Sequence, residues 1–196
     1  MYQTHILKNG LKVIHQQVDG KAAWCGLIIG VGSRDERPEE EGIAHFIEHV
    51  IFKGTEKRKA FHILSRIEDV GGELNAYTTK EDTCIYASFL ARDYERALEL
   101  FADIVFHSVF PEKEIEKEKE VVIDEINSYK DSPGELIFDD FENLIFCGHP
   151  LGRNILGEAG RLRGFRSEDI QRFARRLYRP DRMVFFVYGR IEPTHA

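Results

Sequence analysis

Hydrophobic positions along this chain repeat with two periods, and the places where one gives way to the other mark out its elements. Thr4 to Leu7 and Lys12 to Gln16 are short β-prone runs separated by Lys8-Asn9-Gly10-Leu11, in which Asn9-Gly10 is a strong hairpin signal. Ala22 to Val31 reads as a longer strand with a nearly continuous apolar run. A charged loop, Gly32 to Glu41, leads into Gly42 to Phe52, which reads as one buried helix starting near Glu40 to Gly42. Phe61, Leu64, Ile67 and Val70 then recur at three-residue spacing, as on one helix face, and Gly71-Gly72 ends that helix.

Glu73 to Thr78 and Thr83 to Leu90 form a second predicted hairpin. Asp93 begins a helix to about Ser108, with Tyr94, Ala97, Leu98, Phe101, Ile104 and Val105 on its inner face. Pro111 suits the first turn of a helix to about Lys130, and another runs from Gly134 to about Phe146. After the Gly-rich loop Cys147 to Gly164, Ser167 is the predicted cap of a helix to about Tyr178, and Met183 to Tyr188 is a last strand. Two hairpins, a final strand and about five helices predict one α+β domain over residues 1–196: a mostly antiparallel sheet covered on one face by helices, with the helix at 42–52 against the sheet.

Composition narrows the class. With 196 residues, 42% hydrophobic and 31% charged, the chain can bury a proper core. Apolar runs such as Ile104 to Val109 fall far short of the ~20 residues needed to cross a bilayer, so a soluble protein with no membrane partner is expected. The amino terminus lacks the layout of a signal or transit peptide. Cys25, Cys84 and Cys147 are odd in number and show no C-x-x-C spacing, which points to a reducing, cytoplasmic compartment. The net charge of −7 is uneven: between Arg161 and Arg182 eight arginines face three acids. With little aromatic interleaving, that segment reads as a solvated helix face or a contact with an acidic neighbour, and no nucleic-acid partner is expected.

Chemistry concentrates at His45-Phe46-Ile47-Glu48-His49. At about 100° per residue, His45 and His49 lie about 40° apart on a helical wheel, and Glu48 falls on the same side, about 60° from His45. Ile43, Phe46, Ile47 and Val50 take the opposite arc and would pack into a core. Catalytic zinc takes three protein ligands and keeps a fourth position for water, so two histidines are one ligand short. A carboxylate that does not bind the metal can take a proton from the water that the ion acidifies, the role given to Glu48. H-x-x-E-H is the inverzincin order. The alternative is that the three polar residues are simply the wet face of an amphipathic helix.

The helix at 111–130 bears on that choice. With Ile115 at 0°, its apolar arc holds Val121, Tyr129, Val122 and Ile126, and Glu118 and Glu125 fall inside the same arc. Ionised carboxylates are rarely buried unless paired or bound to a metal. The two acids are therefore candidates to complete a site begun by His45 and His49, or to meet arginines in an ion-pair network that holds no metal.

His45 to His49 with Phe52-Lys53-Gly54-Thr55, Gly71 to Thr78, and Glu118 to Glu125 occur in an order and spacing that resembles the pitrilysin and mitochondrial processing peptidase family of zinc peptidases, most of all its bacterial members. The resemblance covers nearly the whole chain. It implies one zinc ion per chain held by His45, His49 and Glu125, Glu48 as general base, and Glu118 as an outer carboxylate supporting the site. It also implies a bacterial endopeptidase subunit or catalytic half that hydrolyses peptides or unfolded segments, with Asn75 and Ala76 on a strand that receives the substrate as an added β-strand. His107, His149 and Cys84 match no family ligand position. Relatives build their chamber from two halves, the second carrying an arginine and tyrosine that assist the substrate carbonyl. A homologous second half, a partner subunit or self-association is thus expected beyond Ala196, and a non-catalytic core or assembly subunit is the rival reading.

Overall fold

The computed structural model describes residues Tyr2–Ile191; Met1 and residues 192–196, with the chain end at Ala196, lie outside them. Six strands form one sheet: β1 (Gln3–Ile6), β2 (Lys12–Gln17), β3 (Ala22–Ile29), β4 (Glu73–Thr78), β5 (Thr83–Leu90) and β6 (Met183–Gly189). Their order is β1-β2-β6-β3-β5-β4. The last strand slots between β2 and β3, parallel to β2 and antiparallel to β3, and every other pairing is antiparallel. Alternation decides which face is covered, since successive side chains point to opposite sides. Cys25, Leu27 and Ile29 of β3, Ile85, Ala87 and Phe89 of β5, and Met183, Phe185 and Val187 of β6 are buried under helices. Trp24 and Tyr188, neighbours in register with ring centroids 5.8 Å apart, are exposed on the other face.

The helices are α1 (Ile43–Val50), α2 (Ala60–Glu68), α3 (Tyr94–Phe106), α4 (Glu112–Lys130), α5 (Pro133–Ile145), α6 (Ala159–Leu162) and α7 (Ser167–Leu177). An eight-residue helix is too short to persist alone, so α1 depends on packing. Ile43, Phe46, Ile47 and Val50 are fully buried, each side chain contributing roughly 1.5–3 kcal/mol. The mostly antiparallel sheet covered on one face by helices is thus the observed architecture. Among the described residues no helix is long and apolar enough to cross a membrane.

Several faces differ from the pattern reading. On α2 the buried residues are Ile63 and Ile67, whereas Phe61 and Leu64 are exposed. Three-residue spacing drifts about 60° per step, so residues 61, 64, 67 and 70 sweep half the helix and cannot share a face. On α4 the buried set is Ile115, Lys119, Val122, Ile123 and Ile126, and Val121 is exposed. The arc is thereby turned away from Val121, which puts Glu118 and Glu125 on its margin. Lys119 can be buried because its ammonium donates to the Arg163 carbonyl at 3.1 Å and pairs with Glu116 at 2.7 Å. Ser167 does not cap α7: its hydroxyl donates to the Val109 carbonyl, and Asp169 accepts the Arg166 N–H at the helix start. On α5 the polar side faces inward: Asp139 accepts from the Tyr129 hydroxyl at 2.6 Å and the Asn154 amide at 2.8 Å. Ile137, Phe138, Phe141 and Leu144 are exposed.

Candidate metal centre

Four arginines fix the entry to α1. Arg153 and Arg161 pair with Glu41, Arg176 with Glu40 and Arg182 with Asp35, so much of the basic stretch meets the acidic loop at 32–41 rather than the acids of α4. In the same loop Glu36 is buried, and its two carboxylate oxygens accept the N–H groups of Gly42 at 3.0 Å and Ala44 at 2.9 Å. These are among the N–H groups a helix start leaves without intrahelical partners. Gly42 has φ +91°, and a Cβ there would lie 2.8 Å from the Leu156 carbonyl oxygen. Only glycine supplies both that backbone and that close approach.

Held this way, α1 presents His45 and His49 one turn apart, with ring centroids 4.8 Å from each other. Glu125 of α4 meets both: its Oε1 is 3.7 Å from His45 Nε2 and its Oε2 is 3.3 Å from His49 Nε2. One ligand atom from each of the three residues can be chosen so that all lie within 4.8 Å of one another. Donors at zinc's bond length of ~2.0–2.1 Å in a tetrahedron stand about 3.3 Å apart, close to the 3.7 and 3.3 Å at which Glu125 meets the two imidazoles. His45 is also in the right protonation state. Burial first, and the neighbouring His49 second, push its pKa from 6.5 down to about 4, leaving the neutral imidazole that a metal requires. Its approach to Glu125 is therefore not an ion pair at neutral pH. His45 Nδ1 is buried and makes no hydrogen bond among the described residues, so Nε2 is the nitrogen aimed at the centre.

Glu48 stands outside the three-residue cluster. Its pKa is raised, chiefly by burial and further by Glu125, against lowering by the Thr78 hydroxyl and N–H and by His49. Thr78 closes β4, the terminal strand of the sheet, whose pairing is with β5 alone. Along β4, Leu74, Ala76 and Thr78 share the helix-covered face, opposite Ala87, Ile85 and Thr83, while Asn75 and Tyr77 are exposed on the other side. Asn75 and Ala76 are thus on the free edge beside the centre, with side chains to opposite faces. Glu118 lies on the other side of the His49 ring, its Oε2 3.6 Å from His49 Nδ1 and its Oε1 2.7 Å from Lys53 Nζ. His107 and His149 are engaged elsewhere, beside Asp103 and the Leu151 N–H.

Sequence reasoning passed over Glu36, Thr78 and Lys53 as parts of this arrangement. Glu36 and Thr78 act across loops, where helical periodicity carries no information. Lys53 follows His49 by four residues, a spacing that could have revealed it.

Two histidines and a glutamate beside a free carboxylate is a donor set that suits catalytic zinc, and several of the known proteins that this chain resembles are described as zinc proteases. Residues 12–159 match the family described as Insulinase (Peptidase family M16), and the chain belongs to that family. It is 38% identical over 195 residues to a protein of Bacillus subtilis strain 168 described as an uncharacterized zinc protease, YmxG, covering 99% of this chain and 48% of that one. It is also 38% identical over 187 residues to the probable beta subunit of the mitochondrial-processing peptidase of Arabidopsis thaliana, covering 95% of this chain and 35% of the relative. A crystal structure of a protease from Helicobacter pylori superposes with a TM-score of 0.94 at 27% identity, over all of this chain and 48% of that one. The chain spans about half the length, or less, of the curated relatives it matches.

Proposed function

We propose that this chain is the catalytic half of a zinc endopeptidase, with one zinc ion on His45, His49 and Glu125 and Glu48 as its general base. The observation that carries the reading is the convergence of His45 and His49 of α1 with Glu125 of α4, beside the free edge of β4. Zinc held there would supply Lewis-acid polarisation of a peptide carbonyl and would acidify a water molecule.

The remaining work falls to the chain's own side chains. An extended peptide laid along β4 gains main-chain hydrogen bonds from the unpaired edge at Asn75 and Ala76, which recognise backbone more than side chains. Glu48 accepts a proton from the attacking water on its carboxylate oxygen and returns it to the leaving nitrogen, and the burial that raises its pKa favours its taking the proton. Glu118 keeps the His49 ring oriented through Nδ1. Among the described residues no donor is assigned to the developing oxyanion, and a homologous second half or partner subunit would complete the site.

Replacing Glu48 by Gln tests the assignment. The variant should keep its zinc and lose roughly 10²–10⁴-fold in hydrolysis of a quenched fluorescent peptide, measured with the second half supplied. Loss of zinc as complete as in His45→Ala would show that Glu48 is a ligand and not the base.

A further inference from the structure

Lys53 lies four residues beyond His49, just past the end of α1. Its N–H donates to the Val50 carbonyl at 3.1 Å, which forms a tight turn directly after the helix. The segment that follows is fastened on both sides. The Gly54 carbonyl accepts from the Val109 N–H at 3.1 Å, and the Thr55 hydroxyl donates to buried Asp103 at 2.9 Å. The backbone of Lys53 is therefore placed, and its side chain, mostly covered, reaches α4. Its ammonium stands 2.7 Å from Glu118 Oε1 while Glu118 Oε2 faces His49 Nδ1 at 3.6 Å. One carboxylate on α4 thus takes two groups from successive turns of the neighbouring element. His49 in turn divides its nitrogens between two glutamates, Nδ1 towards Glu118 and Nε2 towards Glu125 at 3.3 Å.

This geometry has a chemical consequence. A carboxylate that is only 14% exposed, with one oxygen towards an imidazole, needs a partner on its other oxygen to stay oriented. Lys53 is the cation in contact with it. If the ammonium is lost, Glu118 is free to rotate, and its Oε2 no longer stands at 3.6 Å from His49 Nδ1 to keep that side of the ring turned away from the metal.

Resting on the zinc-site reading above, we propose that Lys53 is a positioning residue of the metal centre. It acts through Glu118 to fix the His49 ring and so raises zinc affinity without touching the ion. Partners at this remove from a metal are typically worth about 10–100-fold in affinity.

The test is zinc affinity by competition with a chromophoric chelator, which does not depend on hydrolysis. Lys53→Met and Lys53→Gln should each bind zinc about 10-fold more weakly than the unaltered chain, and Lys53→Arg, which keeps the charge, should stay within about 3-fold. In a Glu118→Gln background, Lys53→Met should cause no further loss. Unchanged affinity in both neutral variants, or a loss that persists undiminished in the Glu118→Gln background, would overturn the proposal. If the unaltered chain binds no zinc, the zinc-site reading itself fails, and that outcome is separate from the other two. Metal-free unfolding midpoints of the variants, equal to that of the unaltered chain, separate a positioning effect from general destabilisation.

Discussion

Glu36 yields a prediction whose size follows from its surroundings. It is buried, and both its oxygens are taken by the Gly42 and Ala44 N–H groups at the start of α1. Burial pushes its pKa from 4.5 up to about 8, and Glu41 adds to the rise, against lowering by those two N–H groups and Arg153. The folded chain therefore holds a proton that the unfolded chain has already released. Its contribution to stability is full below pH 4.5 and is lost as the pH rises through about 8. His45 works in the opposite sense: its pKa is depressed from 6.5 to about 4, so its contribution is full above 6.5 and is lost as the pH falls through about 4. Between pH 4.5 and 6.5 the two slopes cancel, and from 6.5 to 8 the Glu36 slope stands uncompensated. At about 1.4 kcal/mol per pH unit, that window is worth about 2 kcal/mol, a large fraction of the ~5–15 kcal/mol that holds a domain folded. Glu48 shifts in the same direction as Glu36, so the decisive comparison is between two chains and not the slope of one. Urea unfolding of the metal-free chain and of Glu36→Gln, followed between about pH 6.5 and 8, should show a decline that is smaller by about 2 kcal/mol in the variant. At about pH 6.5 the variant should be less stable by ~1–3 kcal/mol, because the amide NH₂ faces one of the two N–H donors, and that gap should narrow by about 2 kcal/mol towards pH 8. An equal decline in both chains would refute the reasoning.

Gly42→Ala should destabilise the chain by roughly 2–5 kcal/mol, from positive-φ strain and the clash with Leu156, read as a lower thermal midpoint; an unchanged midpoint would contradict the close packing at the start of α1. The chain alone should hydrolyse peptides weakly, because no oxyanion donor is assigned on it, and should gain roughly 10²–10³-fold when a homologous second half is supplied. Full turnover by a verified monomer would rule that requirement out.

The site was more legible than the faces around it. His45 and His49 could be read directly because four-residue spacing on a helix forces two side chains onto one side. Glu125 and Glu118 stood out because acids in an apolar arc demand a partner, even though the arc itself was misplaced. Val121 drew it one way, and neither Ile123 nor buried Lys119 betrayed its true centre. Whether an arc is core-facing depends on which helix lies opposite, and periodicity does not hold that information. The same holds for α5, where Asp139 and Asn143 hydrogen-bond inward and Phe138 and Leu144 face out. The edge position of the strand carrying Asn75 and Ala76 was implied by the family resemblance and not by periodicity, because the place of β6 between β2 and β3 is a matter of topology. Contacts across loops, such as Glu36 to Ala44 and Thr78 to Glu48, had no periodic signal at all.

In the proposed site His45, His49 and Glu125 hold one zinc ion and Glu48 stands apart from it. Metal analysis of the chain purified without added zinc tests this most directly, made alongside His45→Ala, Glu125→Gln and Glu48→Gln. About one zinc per chain is expected in the unaltered protein and in Glu48→Gln, and little in the other two. A metal-free unaltered chain, or a full complement of zinc in Glu125→Gln, would contradict it.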